Sequence, residues 1–331
     1  MAIVEQPGPF RPELDGDWWM IGDNPDLGEI QGLSPEQANE ANTRPQECVD
    51  HHIFQSADGR WHLWGCIRHT AVGRVLYHWE TASITDSHWQ QTGEMIRCDR
   101  NAGECVGEAD GQEWLQSPFI LREGGVFYYF YGGHSTGIEP EIVSPPNWKP
   151  RCTGQMCLLT SEDGRTWTRH RGDCGRSRLF YGPGEVRDPC VVRVEGGWLM
   201  YYAGYCDGDH RVPGFFARRS EDLVHWSQPK LVHQDLSLCG NPWGTECPHV
   251  VQRGGRYYLF RTENYAARKS HVFRSDDPLD FGVGDASEKY VGPFPVAAPE
   301  IIVAPDGSEY ISSNHDLSGG TRLCRLKWIS Q

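Results

Sequence analysis

The chain is patterned for strands rather than helices. Five stretches share one design: a short apolar run, a tight Gly-containing turn, and an aromatic-rich return. They read DHHIFQSADGRWHLWG (50–65), SPFILREGGVFYYFYG (117–132), DPCVVRVEGGWLMYYAG (188–204), CPHVVQRGGRYYLFR (247–261) and APEIIVAPDGSEYISS (298–313). Asp-Gly and Gly-Gly between alternating apolar runs predict two-residue hairpins, because these residues accept positive φ. Pro118, Pro189, Pro248 and Pro299 fall in one column, with His51 in the corresponding place. A second element follows the first four hairpins: TASITDSHW (81–89), TSEDGRTW (160–167), RSEDLVHW (219–226) and RSDDPLDF (274–281). Each predicts the end of a third strand, a polar turn, and an aromatic that packs as a fourth strand begins. Only SPEQANEAN (34–42), with Ser34 as N-cap, has a brief helical look.

Four strands per unit, five units, and a spacing of about 50 to 70 residues predict an all-β, five-bladed β-propeller. It is expected to form one domain over residues 1–331. The last strand-like run, RLCRLKW (322–328), is the third of its unit. The N-terminal segment 1–48 is therefore expected to complete the fifth blade, through a strand around Trp18 to Ile21, and to supply a loop near the active site. The Pro-rich loop 134–152 is expected to shape the pocket.

Composition narrows the partners. With 38% hydrophobic residues in 331, the chain can bury a large core, and 13 Trp, 13 Tyr, 38 Gly and 22 Pro suit short strands joined by turns. A formal charge of −14 argues against nucleic acid and anionic membranes, which select basic faces. No apolar run approaches the roughly 18 residues needed to span a bilayer. The start, MAIVEQPGPF, lacks the regions of a secretory signal, so a cytoplasmic protein is expected, or a secreted or periplasmic one if a signal was removed. The twelve cysteines are scattered without a C-x-x-C pair, which favours buried free thiols over a disulfide framework and gives zinc little support.

The repeat acts as its own control. The residue before the proline column is Asp50, Ser117, Asp188, Cys247 or Ala298, and the residue before that is Val49, Gln116, Arg187, Glu246 or Ala297. Strand-opening geometry thus tolerates Ser, Cys or Ala, and it does not explain Asp188 or Glu246. In a propeller the first strands line the central channel, so Asp50, Asp188 and Glu246 should converge at one end of it. Gathered carboxylates repel one another unless something uses them. Second strands return to the same face, which places Arg68, His69, His134, Arg261 and His315 near the rim. Gln116, Arg187, His51 and His249 flank the acids, and Trp114 and Trp243 stand just before two first strands. Aromatic faces, hydrogen-bonding His and Arg, and paired carboxylates suit a sugar.

The motifs "VRDPCVV" (186–192), "TECPHVV" (245–251) and "VDHHIF" (49–54) resemble the R-D-P, E-C-P and N-D-P or A-D-P elements of the five-bladed propeller glycoside hydrolases, families 43 and 32. The resemblance covers roughly residues 45 to 331. It implies Asp50 as general base or nucleophile, Asp188 as pKa modulator and substrate anchor, and Glu246 as general acid. His51 departs from the proline that usually follows the first Asp. An upstream run, WMIGDNPDLG (19–28), makes Asp23 the fallback for Asp50. Family 32 usually carries a C-terminal β-sandwich, for which this chain has no residues left, so an inverting, exo-acting, family 43-like hydrolase of terminal pentofuranosyl or xylosyl units is expected. The expected partner is an oligo- or polysaccharide. No cofactor or catalytic metal is required, and a structural cation in the channel is compatible with the fold.

Other readings remain at this point. They are a retaining fructofuranosidase, a glycoside phosphorylase using rim His and Arg for phosphate, and an anhydro-sugar or galactosyl enzyme with His249 or His134 as acid. A non-catalytic sugar-binding propeller would need the aromatics but not three convergent acids.

Overall fold

The computed structural model describes residues 8–27, 46–105, 112–135, 153–173, 175–206, 212–238, 244–314 and 319–331. Among these, helix is confined to three single 3-10 turns. The stretch 34–42 lies outside the described residues, as do positions 136–152 of the Pro-rich loop.

The strands fall into antiparallel sets. Two come first, β1 (Phe10–Leu14) and β2 (Trp19–Gly22). The next set is β3 (Glu47–Gln55), β4 (Trp61–Thr70), β5 (Gly73–Thr81) and β6 (Gln90–Ile96). Then come β7 (Glu113–Glu123), β8 (Val126–Ser135), β9 (Thr153–Ser161) and, both paired to β9, the short β10 (Thr168–Arg169) and β11 (Arg178–Tyr181). A third set holds β12 (Arg187–Val194), β13 (Gly197–Cys206), β14 (Val212–Ser220) and β15 (Lys230–His233). A fourth holds β16 (Glu246–Arg253), β17 (Arg256–Asn264), β18 (Lys269–Ser275) and β19 (Tyr290–Phe294). The last holds β20 (Ile301–Val303), β21 (Glu309–Asn314) and β22 (Thr321–Ser330). Both N-terminal strands pair antiparallel with β22, β1 along Leu326–Ser330 and β2 along Thr321–Leu323. A short parallel contact, Gly73 to Glu113 and Arg74 to Trp114, joins the sets of β5 and β7.

Local chemistry explains the hairpins. Gly124 and Gly125 have φ of 57° and 87°, and Gly254 and Gly255 have 56° and 78°, the left-handed pair a type I′ turn requires. A Cβ on Gly124 or Gly125 would meet nothing within 4 Å, so the backbone, not space, selects glycine there. The polar turns after the third strands are held by Asp163 and Asp222, whose carboxylates accept backbone N–H groups two and three residues on.

The proline column builds a repeated bulge. Across from one residue of the second strand stand two of the first: Ser117-Pro118, Asp188-Pro189 and Cys247-Pro248, each at a break in register. Proline cannot donate to the ladder, and Ser117, Asp188, Cys247 and Ala298 all take positive φ of 48° to 58°. For a residue with a Cβ this region costs about 1–2 kcal/mol. Asp50 is arranged differently. The register break in β3 lies between Cys48 and Asp50, so the acid follows its bulge instead of sitting in it.

Hydrophobic clusters run between neighbouring sets. One joins the β3 and β7 sets through Trp64, Leu115 and Tyr129. Another spans the β7, β12 and β16 sets through Phe130, Met200 and Leu259. Tyr258, Phe260, Ile311 and Leu326 join the β16 set to the last, and Ile21, Leu63, Trp79 and Tyr310 join the last set back to the first. The chain of contacts closes, which is the propeller arrangement. No helix among the described residues is long and apolar enough to cross a membrane.

Candidate active site

The bulged ends of the first strands open into a pocket of about 400 Å³, within the range of small-molecule sites. Asp50, Gln116, Arg187, Asp188 and Glu246 come to it from four first strands, and Val49, Arg68, Arg74, Trp114, Glu185 and Tyr265 complete the wall. A smaller cavity continues down the channel between Pro118, Pro189 and Pro248, with His51 and Glu300 beside them.

Asp50 and Asp188 share a hydroxyl. Ser117 Oγ lies 3.0 Å from Asp50 Oδ2 and 2.6 Å from Asp188 Oδ1. A serine carries one hydroxyl proton, so both bonds are filled together only when one carboxyl is protonated. Tyr265 donates its phenol to Asp50 Oδ1 at 2.8 Å, and the Cys247 thiol sits 2.7 Å from the Tyr265 oxygen. Since that phenol has given its one proton to Asp50, the thiol is the donor to the oxygen. Asp188 Oδ2 accepts the Cys247 backbone N–H at 3.0 Å and lies 3.4 Å from Arg187 Nε. Arg187 also donates to Glu246 Oε1 at 2.7 Å and to Glu185 Oε2 at 2.6 Å.

Burial and like charge push the acids upward. Burial, with the Asp50 charge next, raises the Asp188 carboxyl to about 6, against the pull of Arg187, Ser117 and the Cys247 N–H. Burial raises Glu246 to about 7; Arg187 opposes this, and the Asp188 and Asp50 charges add to it. Glu246 is the more open of the two, with 18% of its side chain exposed against 3% for Asp188. Burial beside the carboxylates likewise raises the Cys247 thiol and the Tyr265 phenol, so both stay protonated donors. The partners of Asp50 are thus the Ser117 and Tyr265 hydroxyls, with the Cys247 sulfur 3.6 Å from Oδ1.

The other predicted residues divide. Trp114, Gln116 and Arg187 line the pocket with the three acids. His51 sits below it, buried, with Nε2 2.6 Å from Ser312 Oγ, and burial lowers its pKa to about 4. His249 is buried as well. Its Nε2 accepts the Ile301 N–H at 3.0 Å, which leaves the proton on Nδ1, 3.4 Å from Glu300. It therefore faces away from the pocket and cannot deliver a proton there. Arg261 is fully buried and spends its donors on the Asp235 and Leu238 carbonyls and His233, so it belongs to the packing and not to the rim. His69 pairs with Glu47 at 3.7 Å and is not part of the pocket wall. The fallback Asp23 is an exposed partner of His88 at 2.7 Å, away from the pocket. His134 belongs to β8, where its backbone pairs with Gly154. Trp243 and His315 lie outside the described residues.

Sequence reading missed Tyr265, Arg74, Glu185, Ser117 and Cys247. The last two stand in the same column as Asp188, so asking what Ser and Cys do there would have found them. Asp50, Asp188 and Cys247 offer atoms within 4.8 Å of one another, a grouping with the size of a metal site. Their carboxylate oxygens already accept hydroxyl and amide donors from Ser117, Tyr265 and Cys247.

Comparison with known proteins places the fold. No family model matches the chain. Among solved structures it resembles a thermostable family-43 glycoside hydrolase, with TM-score 0.56 and 16% identity over 86% of this chain and 90% of that one. It resembles an α-L-arabinofuranosidase from Lactobacillus brevis similarly, with TM-score 0.56 and 12% identity over 85% and 90%. An exo-1,5-α-L-arabinanase from a bovine ruminal metagenomic library gives 0.54 and 16% over 86% and 93%. The chain therefore has the propeller fold of these glycoside hydrolases. In sequence it is 20% identical to a probable sucrose-6-phosphate hydrolase of Vibrio cholerae, over 90% of this chain and 52% of that protein. The chain spans about half the length of the curated relatives it matches.

Proposed function

We propose that the protein is a glycoside hydrolase acting on the terminal sugar of an oligo- or polysaccharide. The observation that carries this is the convergence of Asp50, Asp188 and Glu246 on one pocket, with Glu246 raised to about 7. Glu246 protonates the departing glycosidic oxygen. Asp50, held by Ser117 and Tyr265, takes a proton from the water that attacks the anomeric carbon. Asp188 holds the proton on Glu246 by its charge and fixes the local geometry through Ser117 and the Cys247 N–H. Arg187 orients the Glu246 carboxyl. A pocket of about 400 Å³ suits one end of a glycan, which supports exo action. Likeness to family-43 folds favours inversion and pentose substrates such as arabinofuranosides and xylosides.

A second reading follows from the Vibrio cholerae relative: a retaining hydrolase in which Asp50 attacks carbon directly. Release of reducing sugar from aryl pentosides and oligosaccharides, with and without added phosphate, tests the proposal. Wild type is expected to release sugar without phosphate, and Asp50→Ala to release none. Turnover that depends on phosphate, or survives Asp50→Ala, refutes it.

A further inference from the structure

We propose that the pocket recognises an anionic group on the sugar, and that Arg74 binds it; this rests on the glycosidase reading above. The other pocket cations are already spent. Arg68 is ion-paired with Glu47, and Arg187 with Glu185, Glu246 and Asp188. Arg74 is different. Its Nη1 donates to the neutral Gln116 Oε1 at 2.5 Å, and its guanidinium stacks over the Trp114 ring at 4.2 Å. Among the described residues no carboxylate pairs with it.

The chain's structural arginines show what such a residue otherwise does. Arg97 and Arg169 bind the carboxylates of Glu113 and Glu104, while buried Arg218 and Arg261 bind backbone carbonyls. Arg74 does neither, and it lines the pocket. Stacking on Trp114 fixes the guanidinium plane and leaves edge N–H groups beyond the one used by Gln116. A guanidinium edge of this kind binds carboxylate or phosphate through two parallel bonds.

Position relates this cation to the reacting centre. Gln116, which holds Arg74, is the chain neighbour of Ser117, which bridges Asp50 and Asp188. Arg74 and the three acids line the same pocket of about 400 Å³, so a sugar bound at the acids lies in the cavity that Arg74 walls. Among the described residues no cation pairs with Asp50, so its charge would repel an anionic sugar, and Arg74 in the same pocket offsets that repulsion. The ligand chemistry is an oxyanion carried on the sugar, either a uronate carboxylate or a phosphate ester.

Paired aryl glycosides test this: a β-xyloside against the β-glucuronide that adds only the carboxylate, and a glucoside against its 6-phosphate. Wild type is expected to favour the anionic member of one pair in kcat/KM, and the pair that responds tells carboxylate from phosphate. Arg74→Gln should lower that anionic-to-neutral ratio by about 10- to 100-fold, the scale of a hydrogen bond to a charged group. Calorimetry with free glucuronate, glucose 6-phosphate and xylose reads binding without turnover. Arg74-dependent binding of an anionic sugar with no glycoside cleaved would keep the inference and overturn the hydrolase reading. Neutral sugars bound and cleaved as well as anionic ones would overturn the inference and leave the hydrolase standing. No anionic probe binding better than xylose also overturns it. If circular dichroism shows that Arg74→Gln fails to fold, Arg74→Lys replaces it, since it keeps the charge and loses the fork, and an unchanged ratio then refutes the role of Arg74.

Discussion

Asp188→Asn should make the protein more stable at alkaline pH while impairing it as an enzyme. The Asp188 carboxyl is buried, with 3% of its side chain exposed, and its pKa is raised from 3.8 to about 6. A carboxyl raised in the folded state binds its proton more tightly there than in the unfolded chain. Stability is therefore fully present below about pH 4 and is lost as pH rises through about 6, where the buried group must ionise beside Asp50. At 1.36 kcal/mol per pKa unit, the penalty approaches about 3 kcal/mol at pH 8 and is about 1 kcal/mol at pH 4.5. Asparagine never ionises, and its amide oxygen can still accept the Cys247 N–H. The stability difference between variant and wild type should thus shift in favour of the variant by about 2 kcal/mol from pH 4.5 to pH 8. Urea unfolding at several pH values measures it, with any fixed loss from the altered Ser117 contact appearing as a constant offset. In the same variant the alkaline limb of the activity profile should move to lower pH, because the charge that helps hold the proton on Glu246 is gone. Parallel stability curves for the two proteins would show that Asp188 does not carry the raised pKa, and the reasoning would fail.

Three further outcomes follow from the same geometry. Glu246→Gln should slow unactivated glycosides by about 10²- to 10⁴-fold and activated aryl glycosides far less, because only the former need a proton delivered to the leaving oxygen; equal losses on both would move the acid elsewhere. Tyr265→Phe removes the phenol that donates to Asp50 Oδ1 and should lower kcat by about 10- to 100-fold with little change in KM; an unchanged kcat would show that the bond does not matter to Asp50. NMR of the first-formed anomer should show inversion, the outcome of carboxyls about 6.5–9.5 Å apart, whereas retention requires about 5–5.5 Å.

Much of this protein is legible in its sequence because its architecture repeats. Gly-Gly and Asp-Gly at fixed offsets, an aromatic return strand and a proline column state the strand order without tertiary information, since turn conformation is a local property of glycine and proline. The same repetition exposes Asp188 and Glu246, because an acid in a column that elsewhere holds Ser, Cys, Gln or Ala has no local reason to be there. What surrounds the acids is not local. Arg261 and Tyr265 are only four residues apart, yet Arg261 stands opposite the Cys247-Pro248 bulge and is buried against His233, while Tyr265, past the end of β17, reaches across to Asp50. Their directions depend on the bulge, which shifts the pleat, and a shift of one residue exchanges the two faces of a strand. His249 turns inward to Glu300 for the same reason. The Asp50–Tyr265 bond joins residues 215 positions apart, and Arg74 meets Trp114 and Gln116 only where one set of strands abuts the next. The sequence determines which residues open each strand; only packing of the sets into a ring decides which side chains meet at its centre.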